Sequence, residues 1–452
     1  MTSNPSRAVS RRRGSTSRHP VRLALEAANG VWLSLRAAVT PPSTLEPEHA
    51  RFLGRLLLAN ACASAVDQFA FAFAPLLAFV LGATPVQIGV LVAAAAALSL
   101  MGLALSGEGS QPHGDPWPAM IRARGATYGI YLFLAIAVWQ MASPAALWAI
   151  IGLWAIRALI VRFGMSASAR VVGHTLPVAQ RAAYLHAQSD ASTLAAIAAL
   201  PLLGWIIRAL GAPNGYVAAF GVAALGGWLT LAPAARARRA TTPSPWAGTG
   251  QAPEPPTGWW RDRAFVAFCG VGIVWNLSLQ MAAPFLNIYL VDGLGASPLG
   301  VGVIAAVSLL AAFASAHLVR DITRWSGAWW MLRVTSIIIP FIPWLWIAAQ
   351  APWHIAIING VSGVVWAAHN LAAAHALMQI IPPAAQRLAA HRYQALILAT
   401  TVAGALLGGL IVASRGYEAV LWISGGGRLL AGLAMWMIPR PTARPSTQAA
   451  AA

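Results

Sequence analysis

Long apolar stretches recur along this chain and restrict the folds that it can adopt. A helix needs about 20 apolar residues to cross the hydrocarbon core of a bilayer, and twelve stretches that meet this need follow one another between residues 54 and 438. Only 9% of the residues are charged, whereas soluble domains carry about 25%. Water cannot be the main solvent for such a surface. The sequence therefore predicts an all-α membrane protein with twelve transmembrane helices.

Short breaks with Arg, Pro and Gly separate these stretches and define the predicted organisation. The predicted segments are 54–80, 86–106, 124–142, 145–168, 181–209, 214–235, 264–292, 297–319, 327–349, 352–380, 385–413 and 416–438. The stretch 236–263, rich in Pro, Gly, Thr and Arg, divides them six and six as a flexible linker. The predicted domains are an Arg-rich tail at 1–51, a bundle at 52–235, the linker at 236–263, a bundle at 264–438 and a tail at 439–452. Within the first tail, residues 21–39 fit either a helix on the membrane surface or a disordered segment.

The arginines predict an orientation in the membrane. All 30 basic residues are Arg, against 12 acidic residues, which gives a net charge of +18. A nucleic-acid partner is not predicted, because the arginines sit at segment ends rather than on one face of a soluble domain. If every second connection shares a side with the N-terminus, that side holds 26 of the 30 arginines, and only Arg208 and Arg415 lie near the other. This positive-inside bias predicts cytoplasmic termini and residence in the cytoplasmic (inner) membrane.

The two halves of the chain resemble each other in order. Segment 1 runs into PLLAFVLGATPVQIGVL and segment 7 into PFLNIYLVDGLGASPLGVGVI, each with a proline in the helix followed by LGA, Thr or Ser, and Pro. Segments 5 and 11 begin AQRAAYLHAQ and AQRLAAHRYQ, and segments 6 and 12 begin GYVAAF and GYEAVL. Because the order 1-5-6 matches 7-11-12, the repeat is parallel. A parallel six-helix repeat about an axis along the membrane normal is typical of transporters.

On these features the chain resembles the major facilitator superfamily (MFS) of secondary transporters over residues 52–438. The stretch 276–302 is similar to the seventh-helix region of many bacterial members, and 382–411 to their loop 10–11 and eleventh helix. A remnant of the family's cytoplasmic signature loop survives as Arg320, Asp321 and Arg324. The resemblance implies two pseudo-symmetric six-helix bundles around a cavity lined by helices 1, 4, 7 and 10. It also implies alternating-access transport of a small-molecule solute, with protons as the expected coupling ion.

Polar side chains within the apolar segments are the candidates for that cavity. An ionisable group at mid-helix costs about 2.5–3.5 kcal/mol in a bilayer and persists when it is paired or faces a cavity. Asp67, the only acid in segment 1, is predicted to be a protonatable cavity group, with a purely structural hydrogen bond as the alternative. An offset of 209 residues, which separates Pro75 from Pro284, relates Asp67 to Asn276. The predicted substrate or ion-cavity residues are Asn60, Asp67, Gln68, Asn276, Gln280, Asn359, Trp366 and Asn370.

Segments 4 and 5 carry a second charged set. Arg157 or Arg162 of segment 4 is predicted to reach Asp190 of segment 5, which lies one turn from His186. A buried Arg–Asp pair would relieve both desolvation costs. The set is open to two interpretations, a structural ion pair or a part of the substrate path or gate.

Other functions are not supported by any motif. The chain has no HExxH, no phosphate-binding Gly loop with a Lys, and no Cys or His cluster, so neither a cofactor nor a metal site is predicted. Its partners are predicted to be the lipid bilayer, a small solute and protons, and the chain is expected to be a monomer and not an enzyme. Two alternatives stay open: a polytopic membrane enzyme acting on a lipid-linked substrate, and a receptor or assembly protein that keeps a transporter-like fold.

Overall fold

The computed structural model describes residues 47–106, 115–141, 143–176, 178–239 and 258–438. The two predicted tails, the segment 21–39 and most of the predicted linker lie outside the described residues. The α-helices are Pro47–Val80, Pro85–Leu105, Trp117–Gln140, Ser143–Thr175, Val178–Leu210, Asn214–Leu229, Leu231–Arg239, Arg263–Ala282, Leu286–Asp292, Pro298–Ser326, Ala328–Ile338, Phe341–Ile347, Pro352–Ile380 and Gln386–Met437. The part of the chain described here contains no strand.

These helices make twelve membrane spans. By length and composition, eleven helical stretches are able to cross a membrane. One of them, Pro383–Met437, is 55 residues long, and Gly416 turns the chain back within it at φ 80°. Only glycine adopts this backbone conformation without strain. Spans 11 and 12 are therefore 386–415 and 417–437. Spans 1 to 10 are 54–80, 85–105, 117–140, 144–175, 180–210, 214–238, 263–292, 298–326, 328–347 and 352–380. The side on which spans 6 and 7 adjoin the linker is called the linker side, and the opposite face the far side.

Three spans depart from single helices with the predicted bounds. Span 7 changes to a 3-10 turn at Ala283–Phe285, and span 9 breaks between Ile338 and Phe341. Each break contains a proline, which lacks the N–H that a continuous helix needs. Span 8 continues to Ser326, beyond its predicted end at residue 319, so the signature-loop remnant Arg320, Asp321 and Arg324 forms its last helical turns instead of a loop.

The predicted repeat is visible in how the helices pack. In the first half, span 1 packs along span 5, and span 4 packs along spans 2 and 3. In the second half, span 7 packs along span 11, and span 10 packs along spans 8 and 9. Spans 1 and 4 therefore face each other with few close contacts, as do spans 7 and 10. Each half has an internal seam between these two helices, as the predicted pseudo-symmetry requires.

The halves join through two helix pairs on the far side. Span 2 packs along span 11, and span 5 along span 8. Both contacts are so close that a side chain would not fit at the crossing glycines. A Cβ atom at Gly89 would lie 2.5 Å from the carbonyl oxygen of Ala405, and one at Gly302 would lie 2.3 Å from that of Leu200. Small residues let helix backbones approach in this way where lipid supplies no hydrophobic driving force.

The apolar core is continuous on the far side and divided on the linker side. One cluster on the far side contains buried residues of both halves, including Leu77 and Ile88 of the first and Phe285 and Val301 of the second. On the linker side, one cluster comes only from the first half and another only from the second. Within the described residues, the halves are therefore sealed together on the far side and separate toward the linker side. This arrangement leaves a crevice that opens on the linker side.

The close crossing at Gly302 makes a stability prediction. We expect Gly302→Val to lower the free energy of unfolding by about 1–3 kcal/mol, the usual cost of overpacking, because its Cβ would meet the backbone of span 5. Gly221→Ala is the matched control, since no atom lies within 4 Å of a Cβ at that position in span 6. Thermal unfolding in detergent measures both. Equal melting temperatures for the two variants would show that spans 5 and 8 do not meet as described.

Candidate functional site

The far-side end of the crevice is closed by a contact between spans 1 and 7. Asn287 Nδ2 donates a hydrogen bond of 3.1 Å to the carbonyl oxygen of Ala72. Gln68 lies one turn nearer the linker side on the same face of span 1 and is exposed. The face of span 1 that carries Gln68 is thus directed toward span 7, on the linker side of the contact between the two halves.

An ion pair bridges the seam between spans 1 and 4. Arg157 Nη2 lies 2.5 Å from Asp67 Oδ1, and Tyr131 of span 3 donates its hydroxyl to the same oxygen at 2.9 Å. The Arg157 side chain is 11% exposed and its guanidinium also lies 4.5 Å from the ring centre of Trp154, whereas the Asp67 side chain is 40% exposed. Asp67 Oδ2 has no hydrogen-bond partner among the described residues. Asp67, Tyr131 and Arg157 are called the charged seam.

This geometry corrects the predicted partner of Arg157. Arg157 forms its ion pair with Asp67 and not with Asp190, because span 4 faces span 1 across the seam while span 5 packs behind span 1. Arg162 rests its side-chain stem against Gly102 of span 2. Asp190 is half-buried in span 5, and His186 is exposed. The predicted set is therefore not brought together around Arg157.

Nearer the linker side, Asn60 is buried and joins three spans. Its Nδ2 donates to the Tyr184 hydroxyl of span 5 at 3.0 Å, and Arg124 of span 3 donates to its Oδ1. The buried Nη1 of Arg124 has no hydrogen-bond partner among the described residues. Asn60 was predicted to line the cavity, but its side chain is used in packing and only 4% of the residue is exposed.

An aromatic cluster bridges the corresponding seam in the second half. The Trp275 ring of span 7 stacks on the His369 ring of span 10, with centres 4.7 Å apart and planes inclined by 12°. Trp366 approaches both rings edge-on, at 6.2 Å from Trp275 and 5.7 Å from His369. His369 is buried and its Nδ1 lies 3.1 Å from the Thr335 hydroxyl, whereas both tryptophans are half-buried. Trp275, Trp366 and His369 are called the aromatic seam.

The two seams occupy pseudo-equivalent places. The offset of 209 residues relates Arg157 to Trp366 and Asp67 to Asn276, the neighbour of Trp275. The seam between spans 1 and 4 thus carries an ion pair, and the corresponding seam between spans 7 and 10 carries stacked aromatic rings. The crevice is therefore chemically asymmetric although its frame is repeated.

Asn276 and Gln280 face span 11 rather than open space. Asn276 Nδ2 lies 2.8 Å from Thr400 Oγ1, 2.9 Å from the carbonyl oxygen of Ile397 and 3.1 Å from Thr401 Oγ1. Gln280 donates to the same Thr401 hydroxyl at 3.2 Å. Both were predicted as cavity residues, but Asn276 is buried and Gln280 half-buried against this helix. Polar side chains commonly join helices in this way inside a membrane.

The role of Asn276 is testable by its effect on stability. We expect Asn276→Ala to lower the free energy of unfolding by about 1–2 kcal/mol, the range found for interhelical hydrogen bonds in membranes. Asn359→Ala in span 10 is the control, because Asn359 is half-buried with no side-chain hydrogen bond in the described part of the chain. Unfolding in mixed micelles with increasing denaturing detergent compares the two. Equal unfolding midpoints would argue against the span 7–span 11 network.

Three predicted amides remain free for a ligand. Gln68 and Asn370 are exposed and Asn359 is half-buried, and none of them has a side-chain hydrogen bond to another described residue. An amide in contact with lipid would leave its donors and acceptors unsatisfied, at a cost of several kcal/mol each. These side chains are therefore best accommodated where the crevice admits water or solute.

Several residues of the two seams could not be identified from the sequence. Trp275, Tyr131 and Arg124 were not predicted, because a tryptophan or tyrosine in an apolar segment has no distinctive signal and Arg124 stands at a segment end. The i, i+3 spacing of Trp366 and His369 places them on one side of span 10 and was the available clue. No group of three or more His, Cys, Asp or Glu able to hold a metal ion occurs in the described ranges.

Comparisons with known proteins agree with this geometry. Residues 257–421 match the model of the MFS_1 like family, whereas no curated protein is matched by sequence. The fold is similar to the nucleoside transporter NupG, with a TM-score of 0.66 and 12% identity over 85% of this chain and 99% of that one. It is also similar to an inward-facing bacterial homologue of the human lysosomal transporter Spinster, with a TM-score of 0.65 and 13% identity over 88% and 98%. A POT family transporter bound to a thioalcohol-conjugated peptide gives 0.65 and 12% over 89% and 98%.

Proposed function

Since the chain is a multi-pass membrane protein with the major facilitator fold, we propose that it is a secondary transporter of a small-molecule solute, coupled to protons. The observation that carries this proposal is the divided core. The two halves meet through backbone-to-backbone crossings on the far side and separate on the linker side. By rocking against each other, they can close the linker side and open the far side. Alternating access around a site between repeated halves is how such folds transport.

The charged seam supports proton coupling. Asp67 is a carboxylate at mid-span, 40% exposed, whose charge is balanced by Arg157. Protonation of Asp67 would remove one member of that pair and leave a buried guanidinium in need of another partner. A proton and a solute can therefore influence each other's binding through Arg157, which is the thermodynamic requirement for coupled transport.

The comparisons support transport of a small solute without fixing its identity. The similar structures include a nucleoside transporter and a peptide-binding POT family transporter, and all lie below the identity at which a substrate could be carried over. The alternative of an enzyme on lipid-linked substrates is disfavoured because far-side connections such as 81–84 are very short. We further propose that the chain acts as a monomer in the inner membrane, with the linker side cytoplasmic.

Transport can be tested before the solute is known. Purified protein in liposomes with an imposed pH gradient is mixed with a small-molecule cell extract, and the solutes retained inside are quantified by mass spectrometry. We expect at least one solute to accumulate severalfold over protein-free liposomes, and a proton ionophore to abolish the gain. Asp67→Asn serves as the protein control. A solute profile identical to that of protein-free liposomes in both pH directions would contradict the proposal.

A further inference from the structure

Among the described residues, buried positive charge exceeds buried negative charge. In span 3, Arg124 is half-buried and makes no ion pair with any described residue, and its buried Nη1 lacks a hydrogen bond. In span 12, Arg428 is 4% exposed, and within the described part of the chain it bonds only to the hydroxyl and carbonyl oxygens of Ser424 in its own helix. Of the carboxylates in the described ranges, Asp67 is the one with which both Arg124 and Arg157 interact. An uncompensated guanidinium inside a bilayer is costly, so this surplus favours an anionic solute over a cationic one.

The aromatic seam adds a second requirement. Trp275 and Trp366 are each half-buried, and they lie on the two spans that face each other in the second half. Trp275 is already stacked on His369, so the seam presents flat π surfaces at a place pseudo-equivalent to the ion pair. Aromatic pairs contribute about 0.5–1.5 kcal/mol beyond the burial of their area. A saturated solute would not gain this contribution.

We propose that the solute is a flat aromatic ring carrying one carboxylate, and that it is taken up together with one proton. This inference rests on the proposed transport function and specifies its substrate class. The ring lies against Trp275 and Trp366, and the carboxylate pairs with Arg157.

The coupling follows from an exchange of partners at Arg157. A proton binds Asp67, the carboxylic acid releases the guanidinium, and the solute carboxylate takes its place. The solute brings one negative charge and the proton one positive charge, so the loaded site has the same net charge as the empty one. Either binding event alone leaves a surplus charge in the crevice, which disfavours movement of a half-loaded protein. The exchange of partners at Arg157 thus couples the binding of the solute to the binding of the proton.

Other groups near Asp67 favour this exchange. From span 3, the hydroxyl of Tyr131 holds Asp67 Oδ1, and Arg124 and Tyr128 interact with the carboxylate electrostatically. From span 4 the facing group is Arg157, and span 5 contributes Tyr184 two turns away, beside Asn60. Arg124 stays positive throughout, so it adds to the attraction for a second carboxylate when Asp67 is neutral.

Isothermal titration of the purified full-length protein with 2-naphthoate tests the proposal. We expect the affinity to rise as the pH falls, by up to tenfold per pH unit, because one proton is bound with each anion. Titration at pH 8 in two buffers of different ionisation enthalpy should show uptake of about one proton per naphthoate. This proton count uses the unaltered protein, so it does not depend on the folding of a variant.

Matched ligands separate the parts of the inference. Decahydro-2-naphthoate keeps the charge and lacks the π face, 2-naphthamide keeps the ring without the charge, and 2-(aminomethyl)naphthalene reverses the charge. Decahydro-2-naphthoate is expected to bind severalfold more weakly than 2-naphthoate, and the amide and the amine at least tenfold more weakly. Trp275→Leu should weaken 2-naphthoate by a larger factor than decahydro-2-naphthoate. Asp67→Asn should bind 2-naphthoate with no dependence on pH.

The outcomes distinguish the inferred substrate class from the proposed transport function on which it rests. Equal or tighter binding of the amide or the amine, or binding without proton uptake, would overturn the substrate class. So would absence of binding by 2-naphthoate. If solutes of another class accumulate in the liposome assay, transport stands and only the substrate inference fails. If nothing accumulates and 2-naphthoate still binds with one proton, the site stands and the transport proposal fails.

Discussion

Linking Ala72→Cys to Asn287→Cys with a short bifunctional thiol reagent is expected to stop transport completely. Spans 1 and 7 join the halves here on the far side, where Asn287 Nδ2 lies 3.1 Å from the backbone carbonyl oxygen of Ala72. A cross-link there holds the far side shut, and alternating access requires that it open. Solute accumulation in the liposome assay should fall to the protein-free level and return when a cleavable link is reduced. The native Cys62 and Cys269 are replaced by Ala beforehand.

A cross-link within one half is the matched control. Gln280→Cys and Thr401→Cys lie at a contact of 3.2 Å between spans 7 and 11, both in the second half. Because that half moves as one body, this link is expected to leave accumulation near its uncross-linked value. Full transport with the Ala72–Asn287 positions joined would show that the halves do not separate on the far side. Equal inhibition by both links would point to a general effect of cross-linking.

The frame of the fold could be predicted from sequence because it depends on properties that the sequence displays directly. Span length is set by bilayer thickness, and the order of the helices follows from the matching turns after Pro75 and Pro284. The departures are local. Span 8 runs on to Ser326 because a polar helix end is stable beyond the hydrocarbon region, and span 9 breaks near Pro340 because proline cannot complete the hydrogen-bond ladder.

The pairing of side chains could not be predicted in the same way. Asp67 and Arg157 were both singled out, but their partnership depends on span 4 facing span 1 across a seam. Helix periodicity gives the face on which a residue lies and not the helix that the face meets. Asn276 illustrates the limit, because the repeat relates it to Asp67 while its contacts are with span 11. Equivalent positions in the two halves therefore need not have the same role.

The ion pair is the second feature with a large expected effect. In Asp67→Asn, pH-driven accumulation is expected to fall about 100-fold, because the variant keeps the size of the side chain and loses the proton site. Solute exchange without a pH gradient should persist, since the crevice and the aromatic seam are untouched. In Arg157→Gln both activities should be lost, because the solute carboxylate then has no partner. Counterflow and gradient-driven uptake in the same liposomes measure the two activities.

Stability should respond to these substitutions in the opposite order. Removing one partner of a fully buried ion pair costs about 3–5 kcal/mol, and solvent screening lowers that figure here because the Asp67 side chain is 40% exposed. We expect about 1–3 kcal/mol for Asp67→Asn, which strands the 11%-exposed Arg157, and less for Arg157→Gln, which strands the more exposed partner. The double variant should recover most of the loss without recovering coupled transport, since no charge is then stranded and no proton site remains. Additive losses in this double-mutant cycle would mean that Asp67 and Arg157 are not energetically coupled, and exchange of partners at Arg157 could not then link proton to solute.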